Sequence, residues 1–248
     1  MGDVITIVSG KGGVGKTTIA ANLGVSLALL GKKVVIIDTD LGLRNLDIAL
    51  GMENRIVYDL VDVIEGVCKI RQALVKDKRY QDLYLMSSSQ TRDKNTITPL
   101  EMKVLCKKLK EKYDYIIIDA PPGIEGGYKN AIAGANSVLV VTTPEIASIR
   151  DADKIIRDLE KKEEIEKIMV VINRVRPELI RRKILPEIDY IMNTLKSEII
   201  GILSEDENIF VSMNCGDPIA SKKGSKYEKI FHKMACRVEG EAIPLFNK

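Results

Sequence analysis

The sequence predicts an α/β fold in which a mostly parallel β-sheet carries helices on both faces. Short, fully apolar runs, which are typical of strands buried on both sides, alternate with segments whose apolar residues recur at helical spacing. The composition is that of an ordinary globular protein, with 45% hydrophobic and 29% charged residues. We find no linker, repeat or low-complexity stretch, so residues 1–248 are predicted to form one domain.

The strands are predicted from the apolar runs, and polar residues follow several of them directly. In chain order they are Val4–Val8, Val34–Ile37, Leu83–Met86, Tyr115–Ile118, Val138–Val141, Ile168–Ile172 and Ile199–Leu203. Asp38, Asp119 and Asn173 each come directly after a strand. Because parallel sheets bind ligands at the carboxyl ends of their strands, these side chains are predicted to lie at the functional edge.

The helices are predicted from apolar spacing and from capping residues. The first predicted helix follows a glycine-rich turn at Gly10–Thr17, and the second covers Asp59–Gly66. The third begins at Thr98, the fourth surrounds Ile149–Leu159, and the last covers Tyr227–Val238. The start at Thr98 is the clearest, because Thr98, Pro99 and Glu101 form a capping box with proline at the first helical position. The basic flank of this helix contains Lys103, Lys107, Lys108, Lys110 and Lys112. We interpret that flank as a solvated face, with an acidic partner surface as the alternative.

Charge and cysteine content exclude several classes of protein. With 38 basic and 35 acidic residues, a globally basic coat is absent, and no specific nucleic-acid partner is predicted. The single His232 excludes a histidine-rich metal site, and the four cysteines are too far apart to form a paired motif. We therefore expect reduced thiols in a cytoplasmic protein, without a signal peptide or a membrane-spanning run.

The segment Gly10–Thr17 matches the pattern GxxxxGK[ST] between a predicted strand and a predicted helix. Glycines let the backbone wrap around phosphate groups, and the helix N-terminus adds its dipole. In such a loop Lys16 reaches the β- and γ-phosphates, and the Thr17 hydroxyl coordinates Mg²⁺. The pattern therefore predicts a site for nucleotide phosphates.

Carboxylates at the strand ends complete the predicted site. Asp119 is placed to hold Mg²⁺ through water, and Asp38 to join the metal shell. Asp40 is placed to orient a water molecule for attack on the γ-phosphate. Lys11 is a second lysine in the loop, and spacing alone leaves two interpretations: an exposed lysine, or a cation that reaches phosphates across a dimer interface.

Several motifs resemble those of the MinD/ParA family of deviant Walker A ATPases, and within it the division-site ATPases. They are Lys11–Thr18, Asp38–Asp47, Glu53–Leu60, Gln90–Lys94, Lys129–Ala135, Val141–Glu145 and Arg150–Asp153. The resemblance covers nearly the whole chain. It implies a single-domain P-loop NTPase fold and hydrolysis of ATP to ADP and phosphate.

The resemblance also implies a switch that responds to ATP and Mg²⁺. ATP would join two chains into a homodimer in which each Lys11 reaches the opposite chain's phosphates. The dimer would bind the inner face of the cell membrane and recruit a MinC-type septum inhibitor, in part through the helix around Ile149–Asp153. A MinE-type or other topological factor would stimulate hydrolysis and release the dimer.

The family's site residues map onto matching positions of this sequence. Those implied to bind nucleotide are Gly10, Lys11, Gly12, Gly13, Val14, Gly15, Lys16, Thr17, Thr18, Asn173 and Arg174. Those implied in catalysis are Lys11, Lys16 and Asp40, and those implied to hold Mg²⁺ are Thr17, Asp38 and Asp119. Asn173 and Arg174 match the adenine-binding position, whereas Ser204 stands where relatives commonly have proline.

Family members usually end in a short amphipathic helix that lies on an anionic membrane. The sequence stops at Pro244–Lys248 without such a segment, and we expect the helix to belong to the native protein but to be missing here. A ParA-like ATPase that partitions DNA or cargo, a regulator of flagellar number and a metal-cluster carrier are the alternative functions on this fold. The last would need paired cysteines, which the spacing does not provide.

Overall fold

The computed structural model describes residues 2–42, 45–89, 96–124 and 126–246. The strands are β1 (Asp3–Val8), β2 (Val34–Asp38), β3 (Val75–Lys76), β4 (Leu83–Met86), β5 (Tyr115–Asp119), β6 (Ser137–Thr142), β7 (Lys167–Val175) and β8 (Glu198–Ser204). In these residues they form one eight-stranded sheet with the order β3-β4-β2-β5-β1-β6-β7-β8. Only the β3–β4 pair is antiparallel, which confirms the predicted mostly parallel sheet.

The helices cover both faces of this sheet, also as predicted. They are α1 (Lys16–Leu29), α2 (Leu46–Ala49), α3 (Leu60–Ile64), α4 (Ile70–Ala73), α5 (Pro99–Lys110), α6 (Gly127–Ile132), α7 (Ile146–Leu159), α8 (Pro177–Arg181), α9 (Ile188–Leu195), α10 (Glu207–Asn214) and α11 (Lys226–Val238). Short 3₁₀ turns occupy Glu53–Arg55 and Ile219–Ser221. The short helices α2, α4, α6 and α8, together with α9 and α10, were not predicted.

Strand β1 shows how the two faces are divided. Ile5 and Ile7 pack with α1 and α11 in one apolar cluster, whereas Val4 and Val8 pack with α5, α6 and α7 in the other. All four side chains are fully buried. Because successive side chains of a strand point to opposite faces, a continuous apolar run is what a sheet covered on both sides requires.

Helix α5 begins as its capping residues predict. The Thr98 hydroxyl accepts a hydrogen bond from the Glu101 amide, and the Glu101 carboxylate accepts one from the Thr98 amide at 2.8 Å. The predicted buried face is confirmed at Met102, Leu105, Cys106 and Leu109. The lysines of the opposite flank are exposed or half-buried, as a solvated face and an acidic partner surface would both require.

The end of β7 differs from the prediction. The strand was expected to stop before Asn173, but it continues through Asn173 to Val175 with an irregular register against β8. Arg174 has a φ of 54°, which interrupts the regular pleat at this point. Short apolar runs locate a strand well, but a bulge at its end leaves no periodic signal in the sequence.

Two further expectations can be compared with the structure. All four cysteines are free thiols, as predicted. Within the described residues, no helix is both long and apolar enough to cross a bilayer. Leu43 and Arg44 of the motif Asp38–Asp47, and the whole of the motif Gln90–Lys94, lie outside the residues that the structure describes.

Candidate nucleotide-binding and hydrolysis site

The glycine-rich loop connects β1 to α1 at the carboxyl edge of the sheet. Gly13 and Gly15 have φ values of 76° and 99°, which is backbone that side-chain-bearing residues rarely adopt. Helix α1 starts at Lys16 with no side-chain cap and no acidic residue in its first turn. Its N-terminal amides and the positive end of its dipole are therefore left to an anion, which is the arrangement that a phosphate group needs.

Lys16 lies inside this loop rather than on its surface. Its side chain is buried, and Nζ donates to the Ser9 hydroxyl at 3.0 Å. Ser9 in turn donates to the Lys11 carbonyl at 2.7 Å. Burial lowers the pKa of Lys16, and the carboxylates of Asp119 and Asp40 oppose that shift. A buried cation enclosed by the loop is well placed to neutralise phosphate charge.

Thr17 and Asp119 form the pair predicted to hold Mg²⁺. The Thr17 hydroxyl donates to Asp119 Oδ2 at 2.6 Å. Asp119 is 3% exposed, and its Oδ1 has no hydrogen-bond partner among the described residues. Burial raises the pKa of Asp119 to about 6. A buried carboxylate oxygen without a donor is costly, and a divalent cation with oxygen ligands would satisfy it, so these residues fit Mg²⁺.

Asp38 lies beside Asp119, because the two are paired in register on β2 and β5. Its Oδ1 accepts from the Asp40 amide at 2.9 Å, and its Oδ2 faces the Leu46 amide at 3.4 Å. Burial, and then the charge of Asp119, raise the pKa of Asp38 well above its usual range. Asp38 therefore fixes the backbone that carries Asp40, while its predicted place in the metal shell stays a prediction.

Asp40 is half-buried at the start of the loop after β2. Its charge opposes the fall in the pKa of Lys16 and helps to raise that of Asp119. The structure thus brings Lys16, Asp40 and Asp119 within electrostatic reach of one another. This places the predicted water-orienting residue beside the predicted phosphate and metal positions.

Asn173 joins the loop to a cavity of about 420 Å³. Its amide donates to the Val14 carbonyl at 2.8 Å, and the side chain is buried. The cavity is lined by Gly15, Thr18, Asn173, Arg174, Ser204, Glu205, Asp206, Glu207, Ile209, Phe210 and Met213. Its volume suits a small organic ligand. Sequence reasoning missed the contribution of α10, although Asp206 before Glu207 is a helix-start signal that could have indicated it.

Lys11 lines a different cavity of about 240 Å³, bounded by Thr143, Pro144 and Glu145 before α7 and by Arg176. The structure thus separates the two lysines of the loop, since the amine of Lys16 bonds to Ser9 and Lys11 borders this second cavity. Arg176 and Glu205, which form an ion pair, both line this cavity.

Helix α7 packs directly against the loop. A Cβ atom added to Gly10 would lie 2.3 Å from Asp151 Cβ, so only glycine allows this approach. Within the stretch predicted to face partners, Ile149 is buried and belongs to the core. The exposed residues of this end of α7 are Ile146, Ala147 and Arg150. A movement of the loop would therefore be transmitted to α7, whose outer face is exposed.

Comparison with known proteins identifies the family to which the chain belongs. The family model described as "AAA domain" matches residues 2–172. The septum site-determining protein MinD of Bacillus subtilis is 51% identical over 246 residues, which is 99% of this chain and 92% of that protein.

Solved structures of the same family also resemble the chain. The MinC:MinD cell division protein complex of Aquifex aeolicus matches with 42% identity and a TM-score of 0.89, covering 99% of both chains. Septum site-determining MinD of Pyrococcus horikoshii, solved with Mg-ADP, matches with 30% identity and a TM-score of 0.86 over 96% of both chains. The resemblance predicted from the motifs is confirmed, and the chain belongs to the MinD family of P-loop ATPases.

Proposed function

We propose that the chain is a division-site switch that dimerises with Mg²⁺ and ATP, recruits a MinC-type inhibitor to the membrane, and is released when ATP is hydrolysed. The observation that carries this proposal is the separation of the two loop lysines. Lys16 is enclosed by the loop and bonds to Ser9, whereas Lys11 borders a second cavity, which the loop shares with Thr143–Glu145. Identity of 51% to a septum site-determining MinD supports the biological role.

The chain's own residues account for the hydrolytic step. The loop amides and Lys16 would hold the β- and γ-phosphates, and Thr17 with Asp119 would hold Mg²⁺, which lowers the charge on the phosphate oxygens when bound. Asp40, fixed by the bond between its amide and Asp38, would orient a water molecule in line with the γ-phosphorus. Attack breaks the bond to the bridging oxygen and yields ADP and phosphate.

Lys11 would act on the opposite chain. A cation supplied in trans stabilises the charge of a phosphoryl-transfer transition state, as an arginine finger does. Such a device makes hydrolysis depend on dimerisation, because each site is complete only when the other chain is present. The cavity beside Lys11 is lined by the loop and by Thr143–Glu145, the segment that leads into α7, so a chain docked there would touch both.

Helix α7 is the proposed surface for partners. The Aquifex aeolicus relative is described as a MinC:MinD complex, and we carry a MinC-type partner over to this chain. The exposed Ile146 and Arg150 offer an apolar and a basic contact beside the loop. A MinE-type factor that favours hydrolysis would act on the same dimer, and the ATP-bound dimer would lie peripherally on the inner face of the cell membrane.

The solution mass of the Asp40→Ala variant tests this proposal. Without the residue that orients water, the variant should bind ATP and keep it, so that the dimer accumulates. Light scattering with Mg-ATP should give about twice the chain mass of 27.6 kDa, and with Mg-ADP the monomer mass. A monomer with ATP, when calorimetry shows that ATP is bound, would contradict the dimer switch.

A further inference from the structure

A groove of about 630 Å³ lies between α3–α4 and α5, away from the nucleotide site. None of its lining residues lines either cavity beside the glycine-rich loop. The function proposed above makes no use of it. Its floor is apolar and is formed by Val63, Ile64, Ile70, Leu100, Val104 and Leu105.

The apolar residues of this groove are exposed to an unusual degree for a helix that packs against a sheet. Leu100 is 71% exposed and Val104 is 46% exposed, whereas Leu105 beside them is buried. Leu100, Val104 and Lys108 are spaced by four residues, so they form one ridge along α5. A contiguous apolar groove of this kind is a typical site for a protein segment.

The rim of the groove is positively charged. Lys69, Arg71, Lys108 and Lys112 line it and are exposed, and within the described residues none of them forms a salt bridge. The one carboxylate of the lining, Glu101, accepts hydrogen bonds from the amide and hydroxyl of Thr98 at 2.8 and 2.7 Å. The groove therefore presents an excess of cations that its own carboxylate does not offset.

We propose that this groove docks an amphipathic helix whose apolar face is flanked by acidic side chains. The apolar floor would take the buried face of that helix, and the basic rim would pair with its carboxylates. Helix α5 has 12 residues. A partner helix lying along it would therefore span about 18 Å, or about three turns.

Charge and shape select this occupant over two others. A second copy of the chain bound through the same groove would place the basic rim against its symmetry mate, which is repulsive. A bilayer attracts lysines as well, but its surface is flat on this scale and does not fill a concave floor.

The probe is a fluorescein-labelled, stapled peptide of about 14 residues, with leucines at helical spacing and glutamates beside them. Its twin carries lysine in place of every glutamate. Fluorescence anisotropy with the full chain should show saturable binding of the acidic peptide and at least about tenfold weaker binding of the basic twin.

Variants locate the site and separate its two components. Leu100→Asp and Val104→Asp should each weaken the acidic peptide at least about tenfold, because they place like charge in the apolar floor. Lys108→Glu combined with Lys112→Glu should reverse the preference in favour of the basic twin. Matched controls are Leu29→Asp, an exposed leucine on α1, and Lys229→Glu, an exposed lysine on α11; both should bind as the unaltered chain does.

ATP hydrolysis should be unchanged in all of these variants, since none of the positions lies in the nucleotide site, and thermal unfolding should show that each variant is folded. Equal binding of both peptides, or no saturable binding of either, would overturn the proposal. So would displacement of the acidic peptide by phosphatidylglycerol vesicles, or a change of oligomeric state in Val104→Asp alone, because these results would assign the groove to lipid or to a second copy.

Discussion

The two sides of the nucleotide cleft are built differently. On the phosphate side, formed by the loop at Gly10–Thr17 with Asp38 and Asp119, the side chains of Lys16, Asp38 and Asp119 are buried and bonded within the site. The base side, formed by Asn173, Arg174 and α10, is open, and Phe210 there is 68% exposed. A preorganised phosphate side loses little freedom on binding, so it should supply most of the affinity for nucleotide.

The largest effect is expected at Lys16. Lys16→Ala removes the buried cation of the loop and should weaken Mg-ATP binding by at least about 100-fold, as expected when one partner of a buried charge pair is truncated. Isothermal calorimetry measures the change. Lys11→Ala is the matched control, because it changes a lysine of the same loop that borders the other cavity, and its monomer should bind ATP nearly normally.

The next effect is a pH dependence at Asp119. Burial raises the pKa of this carboxyl from its usual 3.8 to about 6, so below about pH 6 the folded, nucleotide-free protein holds a proton that Mg²⁺ must displace. Affinity for Mg-ADP should therefore fall by about tenfold from pH 7 to pH 5. The free energy of unfolding changes in the opposite direction. Because the folded state binds this proton more tightly than the unfolded state, the nucleotide-free protein should gain stability as pH falls from about 6 towards 3.8.

Asp119→Asn is the control for that titration. It keeps the size of the side chain but has no carboxylate to protonate, so Mg-ADP should bind weakly at both pH values. An unchanged pH dependence in Asp119→Asn would assign the titration to another group.

A smaller effect is expected at the junction of the two sides. Asn173→Ala removes the bond to the Val14 carbonyl and leaves a buried carbonyl oxygen without that donor. The loss should be about 1–3 kcal/mol of loop stability, seen as a moderate fall in ATP affinity and a lower melting temperature. Normal affinity would place Asn173 outside the nucleotide site and leave it a purely structural role.

The smallest effect is expected at Phe210. If the base lies against this ring, Phe210→Ala should weaken ATP by about two- to tenfold, the range of an aromatic contact. Leu29→Ala, an exposed apolar residue on α1, is the control. If Phe210→Ala lowered ATP affinity as much as Lys16→Ala does, the proposed difference between the two sides would be wrong.

The same contrast explains what could be predicted from sequence. The residues of the phosphate side are contiguous, or directly follow apolar strands, so Gly10–Thr17, Asp38 and Asp119 were placed correctly at the sheet edge. The base side depends on a bulge at Arg174 and on α10, which is short and remote in sequence. The bond from Asn173 to Val14 joins residues 159 positions apart and has no local signature.

Helix α7 shows a second limit. Its apolar spacing gave the helix and the burial of Ile149 correctly, but Ile146, just before the predicted stretch, is 45% exposed. Periodicity predicts which residues form the buried stripe of a helix. It does not predict which part of the helix a neighbouring loop covers, because that depends on tertiary contacts such as the close approach of Gly10 to Asp151.

The central claim, that Lys11 completes the opposite chain's site, is tested most directly by mixing two inactive variants. In a heterodimer of Lys11→Ala with Asp40→Ala, one site combines the Asp40 of one chain with the Lys11 of the other. Random mixing makes half of the dimers mixed, so the account predicts recovery of about a quarter of the normal ATP hydrolysis rate. No recovery, with heterodimers shown by mass spectrometry to be present, would contradict it.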